Sequence, residues 1–384
     1  APPPLRGGPP QRRRRSASPL LGARSSQVMG RRGQGRCQPS SSQEGAPTDG
    51  EQDGCVTLPA TLVRKAQHCL AGLTRFGAQK ILDEVHPDWA DTALRSSVCS
   101  TLAMILGQIG AYVEPVGSFA KGVDLRGKSS DVDVVAVFEG FSLQRYEQLL
   151  CVVEDCLNRA PMVLQVKRIS VFSYLQDLKK RKPRGNSGTT VIVVEWHPAY
   201  ITGQMQFGQD QRACKFDVLV GGYFGHDELV DLCVDATVGD RGKLGASMLV
   251  HHVRHALCQP SFVMAATRLL KWWAHRVVRP SEPFLKPRSF LLELLVLHAA
   301  ESSARAAAKP YGPYELFLDA LREITQWSSL CALWRWKDLT TCNVAPPVLL
   351  DPMNPTNNVA QTLCTEYWER FGSLATLTLM MLGD

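Results

Sequence analysis

Apolar positions between residues 58 and 110 recur every three to four residues, and the spacing predicts helices over Thr61–Phe76 and Asp91–Gly107. The pattern then shortens. Val132–Phe138, Val163–Ile169, Thr190–Trp196 and Ala213–Leu219 are apolar runs of strand length, and Leu143–Arg159 returns to helical spacing between the first two. Beyond Gly242 the helical period dominates, in Ser247–Cys258, Ser261–Val278, Ser289–Ser302, Tyr314–Trp327 and Gln361–Leu382, with no strand pattern evident. The expected fold is α+β and bilobal: an N-lobe of mixed β-sheet with helices over residues 56–241, and an α-helical C-lobe over 242–384. A cleft between such lobes is a common place for a ligand. Residues 303–313 read as a loop between helices.

Composition changes this picture only at the N-terminus. The 384 residues are 45% hydrophobic and 21% charged, which suits a globular protein of one or two domains. The formal net charge of +7 is concentrated in the first 36 residues, where Arg12, Arg13, Arg14 and Arg15 and further arginines meet no acid. Residues 1–55 are rich in Pro, Gly, Ser, Gln and Arg, so they are expected to be a disordered, solvated tail. The chain shows neither a signal-peptide core nor a run of about 20 apolar residues, and it is expected to be soluble and cytoplasmic. Its 12 cysteines are scattered without a C-x-x-C pair. Cys258, Cys331, Cys342 and Cys364 are therefore expected to be reduced, partly buried thiols. His251, His252, His255 and Cys258 have metal-like spacing, but an exposed polar helix face gives the same pattern and is the expected reading.

The chemistry concentrates in residues 117 to 138, GSFAKGVDLRGKSSDVDVVAVF. Residues two apart on a strand share a face, so Asp131 and Asp133 at the mouth of Val132–Phe138 present paired carboxylates. Two such anions repel unless a cation joins them, and Mg²⁺ prefers carboxylate oxygens and commonly bridges them to substrate phosphates. Upstream, Gly117-Ser118 offers a glycine turn and a hydroxyl to phosphate oxygens. Asp217 lies inside the apolar run Lys215-Phe216-Asp217-Val218-Leu219, where an isolated charge is costly to bury. If the two strands are neighbours, Asp131, Asp133 and Asp217 would together hold two Mg²⁺ ions.

A Gly-Ser turn, a D-x-D pair and a later strand aspartate resemble the polymerase-beta-like nucleotidyltransferases. Finer detail resembles the 2′-5′-oligoadenylate synthase family. Lys121-Gly122, Leu125-Arg126-Gly127 and Ser130-Asp131-Val132-Asp133 are similar to K-G-T-x-L-R-G-x-S-D-A-D, and Lys215–Leu219 to E-F-D-V-L. Arg268–Trp273 is similar to R-L-V-K-H-W, Leu292–Leu295 to L-E-L-L, and Leu349–Asn358 to I-L-D-P-A-D-P-T-G-N. The resemblance implies template-independent synthesis of 2′-5′-linked oligoadenylate from ATP with release of pyrophosphate. Within it, Asp131, Asp133 and Asp217 would be catalytic metal ligands, and Gly117, Ser118, Lys271 and Ser289 would line the ATP site. A related cyclic-dinucleotide synthase shares the aspartates, and a catalytically inactive RNA-binding module is the other alternative.

The sequence also departs from the family. Phe119-Ala120 replaces Ser-Gly before Lys121, Ser130 adds one residue before the aspartate pair, and Ser289 stands where vertebrate members carry a nucleotide-contacting Gln. Vertebrate members contact double-stranded RNA through basic residues before the R-L-L-K run. Here those positions hold Val253 and Leu257, which neutralise no phosphate, although Arg241, Lys243 and Arg254 lie close by and leave open activation by double-stranded RNA in a different register.

Overall fold

In the computed structural model the described residues are 60–126, 132–172, 188–196, 214–282, 285–303, 311–336 and 345–384. The arginine-rich tail, Asp131, Cys342 and most of the loop expected at 303–313 lie outside them. In chain order the elements begin α1 (Ala60–Leu70), α2 (Arg75–Val85), α3 (Trp89–Gly107), β1 (Ala111–Val116), α4 (Gly117–Ala120), β2 (Val132–Phe138) and α5 (Tyr146–Asn158). Then follow β3 (Val163–Phe172), β4 (Gly188–Trp196), β5 (Cys214–Gly222), α6 (His226–Asp235), α7 (Val238–Leu257), α8 (Ser261–Trp273) and the short turn α9 (Arg279–Ser281). The chain ends with α10 (Ser289–Ser303), α11 (Pro313–Thr325), β6 (Cys331–Ala332), β7 (Val348–Asp351), β8 (Asn354–Asn358) and α12 (Thr365–Leu382).

Five strands form one mixed sheet in the order β1-β2-β5-β4-β3. β2 and β5 are parallel, and the remaining neighbours are antiparallel. Alternation assigns the faces. Val132, Val134, Ala136 and Phe138 pack with Phe216, Val218 and Val220 in a core shared with Leu102, Leu106, Tyr146 and Leu150 of α3 and α5. The opposite set, Val135, Val137, Val191 and Leu219, packs beneath α7 around Ala246. A separate core joins α1 and α2 to α8, α10, α11 and α12, with Trp273, Phe317, Trp368 and Phe371 wholly buried. Trp273 also donates from Nε1 to Thr378 at 2.9 Å, while Trp272 packs at that core's margin.

Three expectations are corrected. The helix anticipated over Thr61–Phe76 is two helices, because Gly72 takes a φ of +92° and Thr74 then caps α2 by accepting from the Gly77 amide at 3.1 Å. The C-terminal region is not free of strands: β6, β7 and β8 make a small sheet. Its β8 is polar Asn-Pro-Thr-Asn-Asn, which carries no apolar period to reveal it. Cys258, Cys331 and Cys364 are exposed free thiols, whereas the buried ones among the described residues are Cys99, Cys156 and Cys233. Among the described residues no helix is long and apolar enough to cross a membrane.

Candidate active site

The carboxylates meet by register. On the parallel pair β2–β5, Asp133 lies directly opposite Asp217. Both alternate with residues of the α3–α5 core, Val132 and Val134 beside the first and Phe216 and Val218 beside the second. Their side chains therefore emerge on the other face, the one beneath α7. Each residue is half-buried. Asp131, the third member of the expected ligand set, falls outside the described residues.

Gly117 belongs to the same corner. Val116 of β1 pairs with Asp133, so the turn into α4 begins beside that carboxylate. Gly117 adopts a φ of +70°, and a Cβ built on it would lie 2.0 Å from Asp133 Oδ2. Only glycine accommodates both the backbone conformation and the carboxylate's approach. Ser118, the next residue, presents its hydroxyl to the second lobe: Lys271 Nζ donates to Ser118 Oγ at 3.0 Å and to the Val123 carbonyl at 3.2 Å. The structure thus brings together Gly117, Ser118 and Lys271 and places Asp133 and Asp217 at the Gly117 end of this group.

Lys271 is not the solvated helix lysine that its neighbourhood alone suggests; only 3% of it is exposed. It shares a buried carboxylate with Lys121. Glu293 accepts from Lys271 through Oε1 at 2.9 Å and from Lys121 through Oε2 at 2.7 Å. Burial alone would push the Glu293 carboxyl up, but the two ammonium groups and their hydrogen bonds pull it down to about 2. Glu293 is therefore ionised. Burial lowers the Lys271 ammonium below its ordinary value, and the Glu293 carboxylate opposes that shift. The Lys121 ammonium also lies 4.9 Å from the centre of the Phe290 ring.

Further charges brace the 117–126 segment. Arg95 of α3 pairs with the buried Asp124, and Arg268 of α8 donates to the Gly122 carbonyl at 2.5 Å. Sequence reasoning missed Glu293, Lys121 and Asp124 as one charge network. The signal available was a lone acid in the otherwise apolar start of α10, which needs a cation to be buried. Ser289 begins α10, one turn ahead of Glu293 on the same helix face, and is exposed.

The histidines of α7 do not converge on a metal. His251 bonds through Nε2 to the Phe224 carbonyl at 3.2 Å. His252 bonds through Nε2 to both oxygens of the buried Asp351 at 2.8 Å. These two are buried rather than part of the expected exposed face, because α7 is covered there by the β5 exit and by β7. Asp351 also accepts from the Met353 amide and from Asn357 Nδ2, so the Leu350-Asp351-Pro352 motif organises the turn between β7 and β8. Among the described residues there is no group of three His, Cys, Asp or Glu side chains arranged for a metal. Of the two positions compared with RNA-contacting residues, Val253 packs against the sheet and Leu257 is 64% exposed.

Residues 252–382 match the family described as 2′-5′-oligoadenylate synthetase 1, domain 2, C-terminus. The chain is 25% identical over 273 residues to 2′-5′-oligoadenylate synthase 2 of Mus musculus. That match covers 63% of this chain and 34% of the relative, so the chain spans about a third of the relative's length. In structure it is similar to the Cid1 poly(U) polymerase bound to MgATP, with a TM-score of 0.52, 12% identity and coverage of 79% of this chain and 93% of that one. It is also similar to mtPAP in complex with UTP, at a TM-score of 0.52 and 14% identity, covering 89% of this chain and 75% of that one. The chain thus shares the bilobal fold of these two nucleotidyltransferase structures, and its residues 252–382 are similar to the C-terminal domain of the 2′-5′-oligoadenylate synthase family.

Proposed function

We propose that this protein is a template-independent nucleotidyltransferase that makes 2′-5′-linked oligoadenylate from ATP and releases pyrophosphate. The observation that carries the proposal is the register of Asp133 against Asp217 on parallel strands, beside the Gly117-Ser118 turn held by Lys271. Two carboxylates on one sheet face suit a hard divalent cation. Asp131, Asp133 and Asp217 would hold Mg²⁺, which when bound supplies charge neutralisation at the phosphates and lowers the pKa of an attacking hydroxyl.

The chain's own residues supply the remainder. Gly117 leaves room for backbone to approach a phosphate, and the Ser118 hydroxyl orients one of its oxygens. Lys121 and Lys271 together carry two positive charges against the single negative charge of Glu293, so the cluster keeps a surplus of positive charge next to Ser118. That surplus favours the donor triphosphate at this end of the cleft. Asp217 stands nearest the acceptor ribose in this reading and takes up the proton of its 2′-hydroxyl. Ser289, exposed one turn from Glu293, faces the nucleotide with a shorter side chain than Gln.

The test incubates purified protein with Mg²⁺ and labelled ATP, with and without double-stranded RNA, beside the Asp217→Asn protein. Products are resolved and treated with a nuclease that cleaves only 3′-5′ linkages, and with phosphatase to separate linear from cyclic species. Nuclease-resistant linear oligomers from the wild type alone support the proposal. Phosphatase-resistant cyclic products would replace it with the cyclic-dinucleotide reading. RNA binding without any product would leave the inactive binding module. Oligomers formed without RNA would fit Val253 and Leu257, which offer RNA no cation, whereas oligomers formed only with RNA would point to Arg241, Lys243 and Arg254.

A further inference from the structure

A second cavity, of about 250 Å³, opens at the far end of the same sheet face, and the proposed catalysis does not use it. Its floor is the paired residues Tyr112 of β1 and Val137 of β2. Glu114 and Glu139 lie beyond that pair on opposite sides, and the intervening strand length puts them about 13 Å apart. Gly222, Tyr223 and Phe224 form the end wall where β5 exits the sheet, and α7 roofs the space with Val250, His251 and Arg254. Along β2, Val137 is four residues from Asp133, about 13 Å, so this is a place separate from the aspartate corner.

The walls are fixed and the mouth is charged. Gly222 N donates to Ser247 Oγ at 2.8 Å, and His251 Nε2 bonds to the Phe224 carbonyl at 3.2 Å, which ties the β5 exit to α7 on two sides. A carbonyl only accepts, so Nε2 of His251 carries the proton. Burial and the neighbouring His226 ring, 5.3 Å away, lower the His251 pKa, so the ring is neutral. Around the opening, Glu114, Glu139 and Arg254 are exposed, and none of them makes an ion pair among the described residues. Tyr112 and Tyr223 are 62% and 72% exposed, and both line this one cavity.

A ligand of a single charge would satisfy one side of this ring and face repulsion from the other. We infer that the cavity binds a small zwitterion bearing a flat ring: an aromatic amino acid, with an aliphatic ammonium and a carboxylate. The ring lies on Tyr112 and Val137 against Tyr223 and Phe224, the ammonium faces a glutamate, and the carboxylate faces Arg254. The ammonium gains further from the electron-rich tyrosine faces.

Four probes separate these contributions in calorimetric titrations of the full chain: L-tryptophan, tryptamine, indole-3-propionate and indole. L-Tryptophan is expected to bind tightest, with each single-charge probe weaker by about tenfold and indole weaker again, the size expected for one charge-assisted contact. Arg254→Gln should erase the advantage of L-tryptophan over tryptamine. Glu114→Gln with Glu139→Gln should erase its advantage over indole-3-propionate. These positions are exposed and outside the proposed catalytic group, so ATP turnover measured without RNA and the melting curve should stay at wild-type values. Val250→Trp, which fills the cavity, should abolish binding of all four. Equal binding of indole and L-tryptophan would overturn the assignment, as would L-tryptophan binding that survives Val250→Trp or no heat from L-tryptophan at millimolar concentration. None of these results depends on whether the aspartate corner makes oligoadenylate.

Discussion

Two charge clusters a few residues apart in this protein are built on opposite logic. At the sheet end, Asp133 and Asp217 stand side by side in register, like charges on one face. Across the Gly117–Val123 segment, Lys121, Glu293 and Lys271 bury both signs together, with the carboxylate between two ammonium groups. The first arrangement sets two carboxylates on one sheet face, where the proposed function would have them hold a cation. The second carries a carboxylate that bridges two ammonium groups, so it clamps α8 and α10 to the α4 segment while keeping one surplus positive charge. If the first cluster binds a cation as proposed and the second braces the fold, substitutions at each should fail differently.

The largest effect is expected at the first cluster. Asp217→Asn should lower nucleotidyl transfer by about 1,000-fold, comparable to loss of a principal electrostatic group, while the thermal unfolding curve stays close to wild type. An unchanged rate in a product assay would remove Asp217 from the chemistry. At the second cluster the loss should appear in stability. Glu293→Gln leaves two buried lysines without their carboxylate and should cost about 3–5 kcal/mol in urea unfolding. Replacing all three residues by Lys121→Met, Glu293→Leu and Lys271→Met should recover much of that loss but not activity, because the positive charge beside Ser118 is gone as well.

Acid sharpens the same contrast. The folded-state carboxyl of Glu293 is held at about 2, below its ordinary 4.5. A group depressed in this way stabilises the fold above the unfolded value and loses that contribution as pH falls from 4.5 towards 2. The loss is about 3 kcal/mol at most. Urea midpoints at pH 7, 4 and 3 should therefore fall in the wild type and converge on those of Glu293→Gln, whose position 293 does not titrate. Gly117→Ala should come next. The added methyl would meet the Asp133 carboxylate and the residue would have to hold a positive φ, so transfer should drop about 100-fold with only about 1 kcal/mol lost from stability. Ser289→Ala should be the smallest change, less than about threefold in the KM for ATP, because an exposed hydroxyl exchanges readily with water.

Much of the first cluster was legible in the chain. A D-x-D pair at a strand mouth and an aspartate within a second apolar run follow from the two-residue period, and neither needs a distant partner to be recognised. The second cluster was not legible as a cluster. Lys121 and Glu293 are 172 positions apart, and Lys271 and Ser118 are 153 apart, so no local period connects them. For the same reason Lys271 reads locally as a lysine beside two tryptophans, a setting compatible with a solvated face, until tertiary packing buries it. The break at Gly72 and the strands around Asp351 were lost on different grounds: apolar spacing continues across the first, and the second is built from polar residues whose pairing is made by turns and hydrogen bonds.

By itself the sequence determined the alternation of strand and helix, the faces of β2 and β5 on which Asp133 and Asp217 stand, and the glycine needed at position 117, because these depend on periods and backbone conformations set within a few residues. The tertiary structure alone decided that β5 lies parallel to β2 in a register that sets those aspartates opposite each other, that Glu293 gathers two lysines, and that α7 closes over the far end of the sheet to leave a cavity. Each of these depends on the order of strands and the docking of helices, which the collective burial of apolar faces selects and no single segment encodes.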